Sequence, residues 1–510
     1  MQMTKILERN AEFITSRRGF VVYIVCVLSV LALIRTFLFP GVGGDDGEQL
    51  VFSQFFSWGY QIRNPPLFTW LLIGVQTVLG PTVFSVVALR MLILISIYLL
   101  SFRITELICD DRRLAALAAG SLLMVFYMGW NTIHGFSHSA FVTAFYLAAL
   151  LLVLQIRREN SARHLVALGI VLGLGMLAKY SFAIFAVALL VAAMTIQDLR
   201  RRLLSPWLVF GVLLTLPVLV PQLQWLLEHA PSGHLVRGET ELSLSDNARR
   251  IGKGMFRLIV SIVGFLVPLW VLWLAVFWKA VRRPPAVTAE RAVPVQLFQR
   301  LFFVLVGLAA IAIAIIQSDR LRSHYMFVLI PLVPYFFLRY GPAFRDKEIQ
   351  RFAAIVSLAG VALIGTLIGK YLLEPLVCGH CEDHIPYATF AQKIRNAGFK
   401  QGTIFAYFHR DPLAGNFRVQ FKDSRVVSAK HPKVIAPRKH PAGQCLIVWP
   451  VRGAKEPKSA TIRTANASAL KTGLALDHPA VTITAQLPPY GRKPHQLAFV
   501  LLNEGAGECR

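Results

Sequence analysis

Acidic residues are scarce in the apolar parts of this sequence, so two that stand side by side carry weight. Asp45 and Asp46 follow Gly41-Val42-Gly43-Gly44 and precede Glu48 and Gln49. The spacing of Asp46 to Gln49, or of Asp45 to Glu48, makes a capping-box pattern, so one of the pair is expected to cap a helix. The other is left free in a glycine-shaped loop, where a carboxylate can take a proton from an acceptor hydroxyl. Four cations stand beside apolar runs: Arg63, Lys179, Arg320 and Arg322. Lys179 falls between two such runs, where a lysine ordinarily snorkels; the alternative use is to hold an anionic head group, and a lipid phosphate suits that position. Arg322, just before His324 and Tyr325, can add a bidentate grip.

Other candidates have plainer readings beside the chemical one. His134, His138, His229 and His234 lie in turns between apolar runs, and no carboxylate joins a pair of them in one segment. Polar loop histidines are the simpler account, and nothing in the pattern calls for a metal or another cofactor. Gly173 and Gly175 lie inside an apolar run, where small residues serve helix packing. No phosphate-cradling glycine loop is present, so neither ATP nor a soluble nucleotide sugar is indicated.

The elements that must position these residues follow from composition. The chain has 510 residues, 55% hydrophobic and 16% charged, with mean hydropathy +0.56. A soluble domain carries about 25% charged residues; this is instead an all-α polytopic membrane protein with about eleven spans. They are expected near 19–39, 81–102, 114–130, 139–156, 164–178, 181–197, 205–226, 256–279, 299–317, 324–339 and 352–374. The first is long enough to cross and has no cleavage motif. A net charge of +26 would suggest nucleic acid in a soluble protein, but here much of the excess sits in loops, as the positive-inside rule requires. Lys5, Arg9, Arg17 and Arg18 place the N-terminus in the cytoplasm, and an odd number of spans puts the C-terminal part outside.

Two regions depart from simple spans. In the first outer loop, 40–80, Val51, Phe55 and Trp58 recur at helical spacing beside Phe52 and Phe56, which predicts a short amphipathic helix in the interface plane. Pro65 and Pro66 force a break before a second apolar segment, 67–79. Beyond the membrane region, 1–375, the composition shifts: 376–510 reads as a small α/β domain, with a helix over 387–397 and strands at 403–407 and 445–449. It is basic on a side where the positive-inside rule does not apply; an anionic partner or a merely soluble basic surface accounts for that. Cys378 and Cys381, with Cys445 and Cys509, suit disulfides in an oxidising compartment better than zinc.

The run Asp45-Asp46-Gly-Glu48-Gln-Leu-Val-Phe-Ser-Gln, then Gly59-Tyr60, then Pro65-Pro66-Leu-Phe-Thr-Trp70 resembles the first periplasmic loop of bacterial family 39 glycosyltransferases. These are GT-C membrane enzymes related to protein O-mannosyltransferases and to the lipid A aminoarabinose transferase. Gly173-Leu-Gly175-Met-Leu-Ala-Lys179-Tyr180, Pro221 to Trp225 and His229, and His324-Tyr325 support the resemblance, which spans roughly 20–340. It implies inverting transfer of a sugar from a polyprenyl-phosphate donor to a periplasmic acceptor at the inner membrane. Asp45 matches the family's catalytic aspartate, with Asp46 where the family usually has glutamate. Lys179, with Arg63 and Arg322, would meet the donor phosphate. Glu48, Tyr60, His138, His229 and His324 are candidates for the acceptor side of the pocket. Asn64 and Ser137-His138 depart from the family pattern. The branch that adds galacturonic acid to lipopolysaccharide core or lipid A resembles this chain most in its basic tail, and no nucleic-acid partner is implied. The alternatives are a transporter or flippase, which would place ionisable residues inside spans and show a half-repeat; a protein O-mannosyltransferase of the same class; and a membrane-anchored scaffold.

Overall fold

The computed structural model describes residues 2–135, 137–230, 244–317, 323–377, 382–408, 412–437, 443–451, 481–485 and 494–502. Hydrophobic length dictates the helical part. Six helices are long and apolar enough to cross a bilayer alone: Arg17–Phe37, Val83–Cys109, Ser137–Arg158, Ala289–Ile316, the Ser323–Ala343 segment and Asp346–Val377. Four more crossings are available as bent pairs: Arg112–Met124 with Tyr127–His134, Phe182–Met194 with Gln197–Leu203, Pro206–Leu213 with Leu216–His229, and Asn247–Phe265 with Leu269–Arg282. Adding the shorter apolar helix Ala162–Ala178, the eleven expected stretches each fall on one of these. The stretch read as one span at 256–279 is broken by 64° where Pro268 interrupts the helix.

Small residues let helices close on each other, as expected in lipid. A Cβ on Gly169 would meet the Leu208 carbonyl oxygen at 2.4 Å, and one on Gly211 would meet that of Val166 at 2.3 Å. A Cβ on Gly173 would strike Thr215 and one on Gly175 would strike Phe182. The two glycines read as packing residues therefore set the helix contacts that position Lys179 at the end of the Ala162–Ala178 helix.

The C-terminal part holds a five-stranded sheet: β1 (Gly402–Ala406), β2 (Arg425–Ser428), β3 (Gln444–Pro450), β4 (Val481–Ala485) and β5 (His495–Leu502), in the order β2-β1-β3-β5-β4. β1 is parallel to β2 and β3; β5 is antiparallel to β3 and β4. β1 and β2 are buried throughout, as parallel strands covered on both faces must be. The helices Tyr387–Asn396 and Pro412–Gln420 cover one face, against Ile404, Val426 and Leu446, while Tyr407, Ile435 and Val451 pack against Phe405, Val427 and Ile447 on the other. Cys445 is disulfide-bonded, whereas Cys26 and Cys109 are free thiols; Cys378, His380, Cys381 and Cys509 lie outside the described residues.

The first loop is seated beneath this sheet. The Gly44–Phe52 helix lies against the Pro412–Gln420 helix, so close that a Cβ on Gly415 would fall 2.4 Å from the Gly47 Cα. Leu50, Val51 and Phe52 are fully buried, each contributing about 1.5–3 kcal/mol. Two side-chain amides lock the interface in the same way. The Val42 backbone donates to Asn416 Oδ1 and accepts from Asn416 Nδ2, both at 2.9 Å. The Val426 backbone donates to Gln54 Oε1 and accepts from Gln54 Nε2, both at 2.8 Å. The expected helix lying in the interface plane is therefore corrected: it ends at Phe52 and packs under protein. Phe55 and Trp58 belong to the following turn, where partly exposed Phe56 and Trp58 gather around Trp70. That trio is what remains at an aromatic interface belt. The break at Pro65-Pro66 holds, and the Leu67–Leu79 helix follows it.

Candidate active site

The loop carrying the acidic pair is shaped by glycine. Gly43 takes the N-cap position with no side-chain cap, and Gly44 has φ +44°, a left-handed conformation that side chains resist. Asp45 and Asp46 both lie in the first turn, so the expected cap by either is corrected. A backbone glycine starts the helix, and both carboxylates stay at its positive end.

Their environments are opposite. Asp46 is fully buried and pairs with Arg90, itself fully buried on the Val83–Cys109 helix. Ser137 Oγ lies 3.5 Å from the same carboxylate oxygen, and Arg90 also donates to the carbonyl oxygens of Ile133, at 2.7 Å, and Thr132. Asp46 is thus an anchor rather than a base, which corrects its place among the catalytic candidates. Asp45 is half-buried and has no hydrogen bond or ion pair among the described residues. Burial pushes its pKa up to about 6; Glu48 and Asp46 add to the rise, while Arg90 and Lys179 oppose it. It remains mostly ionised at neutral pH and close enough to it to accept a proton, which is the tuning a general base needs.

Lys179 ends the Ala162–Ala178 helix in extended conformation, before Phe182–Met194 begins. Its Nζ donates to Ser139 Oγ at 2.7 Å. Burial lowers its pKa to about 8, and Asp45 raises it in return, so the lysine and the aspartate lie within electrostatic reach of each other without forming an ion pair. Tyr180 next to it accepts from Gln222 at 2.7 Å, which ties this corner to the Leu216–His229 helix.

The remaining candidates scatter. Glu48 turns from the cleft toward Gln61, Lys430 and His431, at 2.6, 3.4 and 3.2 Å. His138 is buried; Gln49 Nε2 donates to its Nε2 at 3.1 Å, and Thr69 donates to Gln49 Oε1 at 2.6 Å. That chain ties three helices together and places the His138 proton on Nδ1. The Tyr60 hydroxyl is spent inside its own loop, donating to Phe55 O and accepting from Ser57 N. His229 is exposed and stacked on Trp225, whose ring lies where a Cβ on Gly59 would be, so that glycine is obligatory. His324 meets Tyr325 edge-on, and Arg63 is exposed with no ion pair among the described residues. Of the set, Asp45 and Lys179 come within electrostatic reach of each other; Tyr60, His138 and His229 support the framework instead. Arg320, Arg322 and His234 lie outside the described residues.

Sequence reasoning missed a second charge group. Arg35, fully buried, donates to the Gly41 carbonyl oxygen at 2.9 Å and pairs with Asp383 at 3.2 Å. Lys370 meets Asp383 at 2.7 Å and Glu374 at 3.7 Å, and His384 meets Glu374 at 3.1 Å. Arg35 and Lys370 hold the Asp383 carboxyl below its usual range. Charged residues therefore do occur within long helices, as Arg90 on Val83–Cys109 and Lys370 on Asp346–Val377 show. A signal existed: Arg90 stands alone inside an apolar run, and such a cation demands an acid. Among the described residues no three His, Cys, Asp or Glu side chains converge on a point where an ion could sit.

Known proteins bear on this arrangement. A model of the dolichyl-phosphate-mannose-protein mannosyltransferase family matches residues 63–225, a stretch that includes Lys179 but not Asp45. The lipopolysaccharide core galacturonosyltransferase RgtA of Rhizobium johnstonii is 27% identical over 81% of this chain and 82% of its own length. RgtB of the same organism is 26% identical over 76% and 78%. ArnT from Cupriavidus metallidurans, in a crystal structure bound to undecaprenyl phosphate, superposes with TM-score 0.60 over 95% of this chain and 98% of its own, at 14% identity. The chain is a membrane glycosyltransferase of GT-C fold.

Proposed function

We propose that this glycosyltransferase moves a sugar, galacturonic acid being the one its relatives' names favour, from a polyprenyl-phosphate carrier to a lipopolysaccharide acceptor, with inversion. The observation that carries the reading is the contrast within the acidic pair: Asp45 has no ion-pair partner among the described residues and lies within electrostatic reach of Lys179, while neighbouring Asp46 is locked to Arg90. Asp45 takes the proton from the acceptor hydroxyl as the new oxygen–carbon bond forms at the anomeric centre. The bond from that carbon to the phosphate oxygen breaks, and the lipid phosphate leaves with the electron pair. Lys179 meets the charge that grows on that phosphate. Undecaprenyl phosphate, bound in the ArnT crystal structure, supports a carrier of this class.

This reading puts the loop and the C-terminal sheet on the periplasmic side of an inner membrane, with the N-terminus in the cytoplasm. The family description favours a second acceptor, a protein hydroxyl, by the same chemistry. Membrane vesicles carrying the wild-type or the Asp45→Asn chain decide the matter. Mass spectrometry should show a sugar added to lipopolysaccharide by the former only. Modification of periplasmic protein instead would favour the second acceptor, and an unchanged product in Asp45→Asn would remove the base assignment.

A further inference from the structure

The sheet has its own crevice, which Asp45 does not line. The chain passes from β1 to β2 on one side and then returns to lay β3 on the other side of β1. In open α/β sheets a ligand site forms at such a reversal, beyond the carboxyl ends of the parallel strands. A cavity of about 380 Å³ lies there, within the size range of small-molecule sites. Phe408, just past β1, and Pro450 and Val451, at the end of β3, form its strand side. Phe390, Leu413 and Leu497 make a fully buried apolar floor, while Glu382, His495 and Gln496 give a polar rim.

An apolar floor under a polar rim suits a ligand with one C–H face and a hydroxyl edge, which describes a pyranose ring against an aromatic side chain. The cavity also adjoins the reaction loop. Tyr387, in its wall, lies 3.1 Å from where a Cβ on Gly41 would be, and Glu382 Oε2 lies 4.0 Å from one on Gly43. The wall of the cavity therefore touches the same glycine loop that carries Asp45.

We infer that this cavity is an acceptor subsite that holds a sugar ring next to the one being glycosylated, so that the soluble domain selects the acceptor saccharide. The inference rests on the proposed transfer to a saccharide acceptor. It is tested on the full chain in detergent micelles, with core oligosaccharide released from lipopolysaccharide by mild acid as the probe. In the Asp45→Asn background the oligosaccharide should bind, by saturation-transfer NMR, and Phe408→Ala should weaken it about tenfold. Gln496→Trp, which plugs the exposed rim without touching the floor, should do the same. In the Asp45-containing enzyme both variants should raise the acceptor KM about tenfold and leave kcat within twofold, whereas a single-sugar acceptor should show no difference from wild type. Oligosaccharide affinity and KM unchanged in both variants, or no binding to the parent chain, would overturn the subsite. Full transfer by Asp45→Asn would instead overturn the catalytic reading and leave the binding result standing.

Discussion

Two groups of charge flank the first loop, and they are built on opposite terms. On one side Arg35, Lys370, Asp383, Glu374 and His384 pair among themselves, and Arg90 pairs with Asp46, so that nearly every charge has a partner. On the other side Asp45 and Lys179 feel each other electrostatically, and Asp45 has no ion-pair partner among the described residues. Buried pairs of the first kind fix geometry at little net gain in stability, since desolvation offsets attraction, but breaking one leaves an uncompensated charge. Groups of the second kind hold tuned pKa values and are free to meet a substrate. Proximity of charges is common to both; the state of their hydrogen bonds separates them.

Adjacent residues make the sharpest test of that contrast. Asp45→Asn should lower turnover about a thousandfold with an unchanged melting temperature; a residual rate near wild type would erase the distinction. Asp46→Asn should do the reverse, destabilising the fold by about 3 kcal/mol as Arg90 is left buried without its anion. Thermal unfolding in micelles reads this, and the Asp46→Leu, Arg90→Met pair should recover part of the loss. Asp45 and Lys179 should also titrate. Activity should rise as pH passes about 6 and Asp45 loses its proton, then fall above about 8 as Lys179 loses its own. Each limb is tenfold per pH unit, and the bell belongs to the coupled pair. A profile flat from pH 5 to 9 would remove both groups from the chemistry. The smallest effect is expected at the seam between loop and sheet: Gln54→Ala should cost about 1 kcal/mol of stability, measured by the same melting, with kcat preserved.

Much of this architecture was legible because the bilayer writes it into the chain. Uninterrupted apolar length gave the crossings, and short β-rich runs gave β1 and β3 close to their observed bounds. The Asp45 loop was legible through its glycines and its resemblance to a known motif. The pairing of Asp46 with Arg90 was not, because 44 residues separate them and a capping box offered a local use for the same carboxylate. The apolar face of residues 50–58 was visible, yet lipid and a protein core demand the same side chains, so its burial under the Pro412–Gln420 helix could not be read. Glu48 with Lys430, 382 positions apart, lay equally beyond any local pattern.

The Gln54 amide has one more effect. β2 is one of the two edge strands of the sheet, and the groups that Gln54 occupies on Val426 are ones an unprotected margin would offer to any passing β-chain. The first loop thereby serves as a cover for that margin. Severed from the helices before it, the C-terminal domain would uncover that margin, and self-association would follow at concentrations where the intact protein stays dispersed.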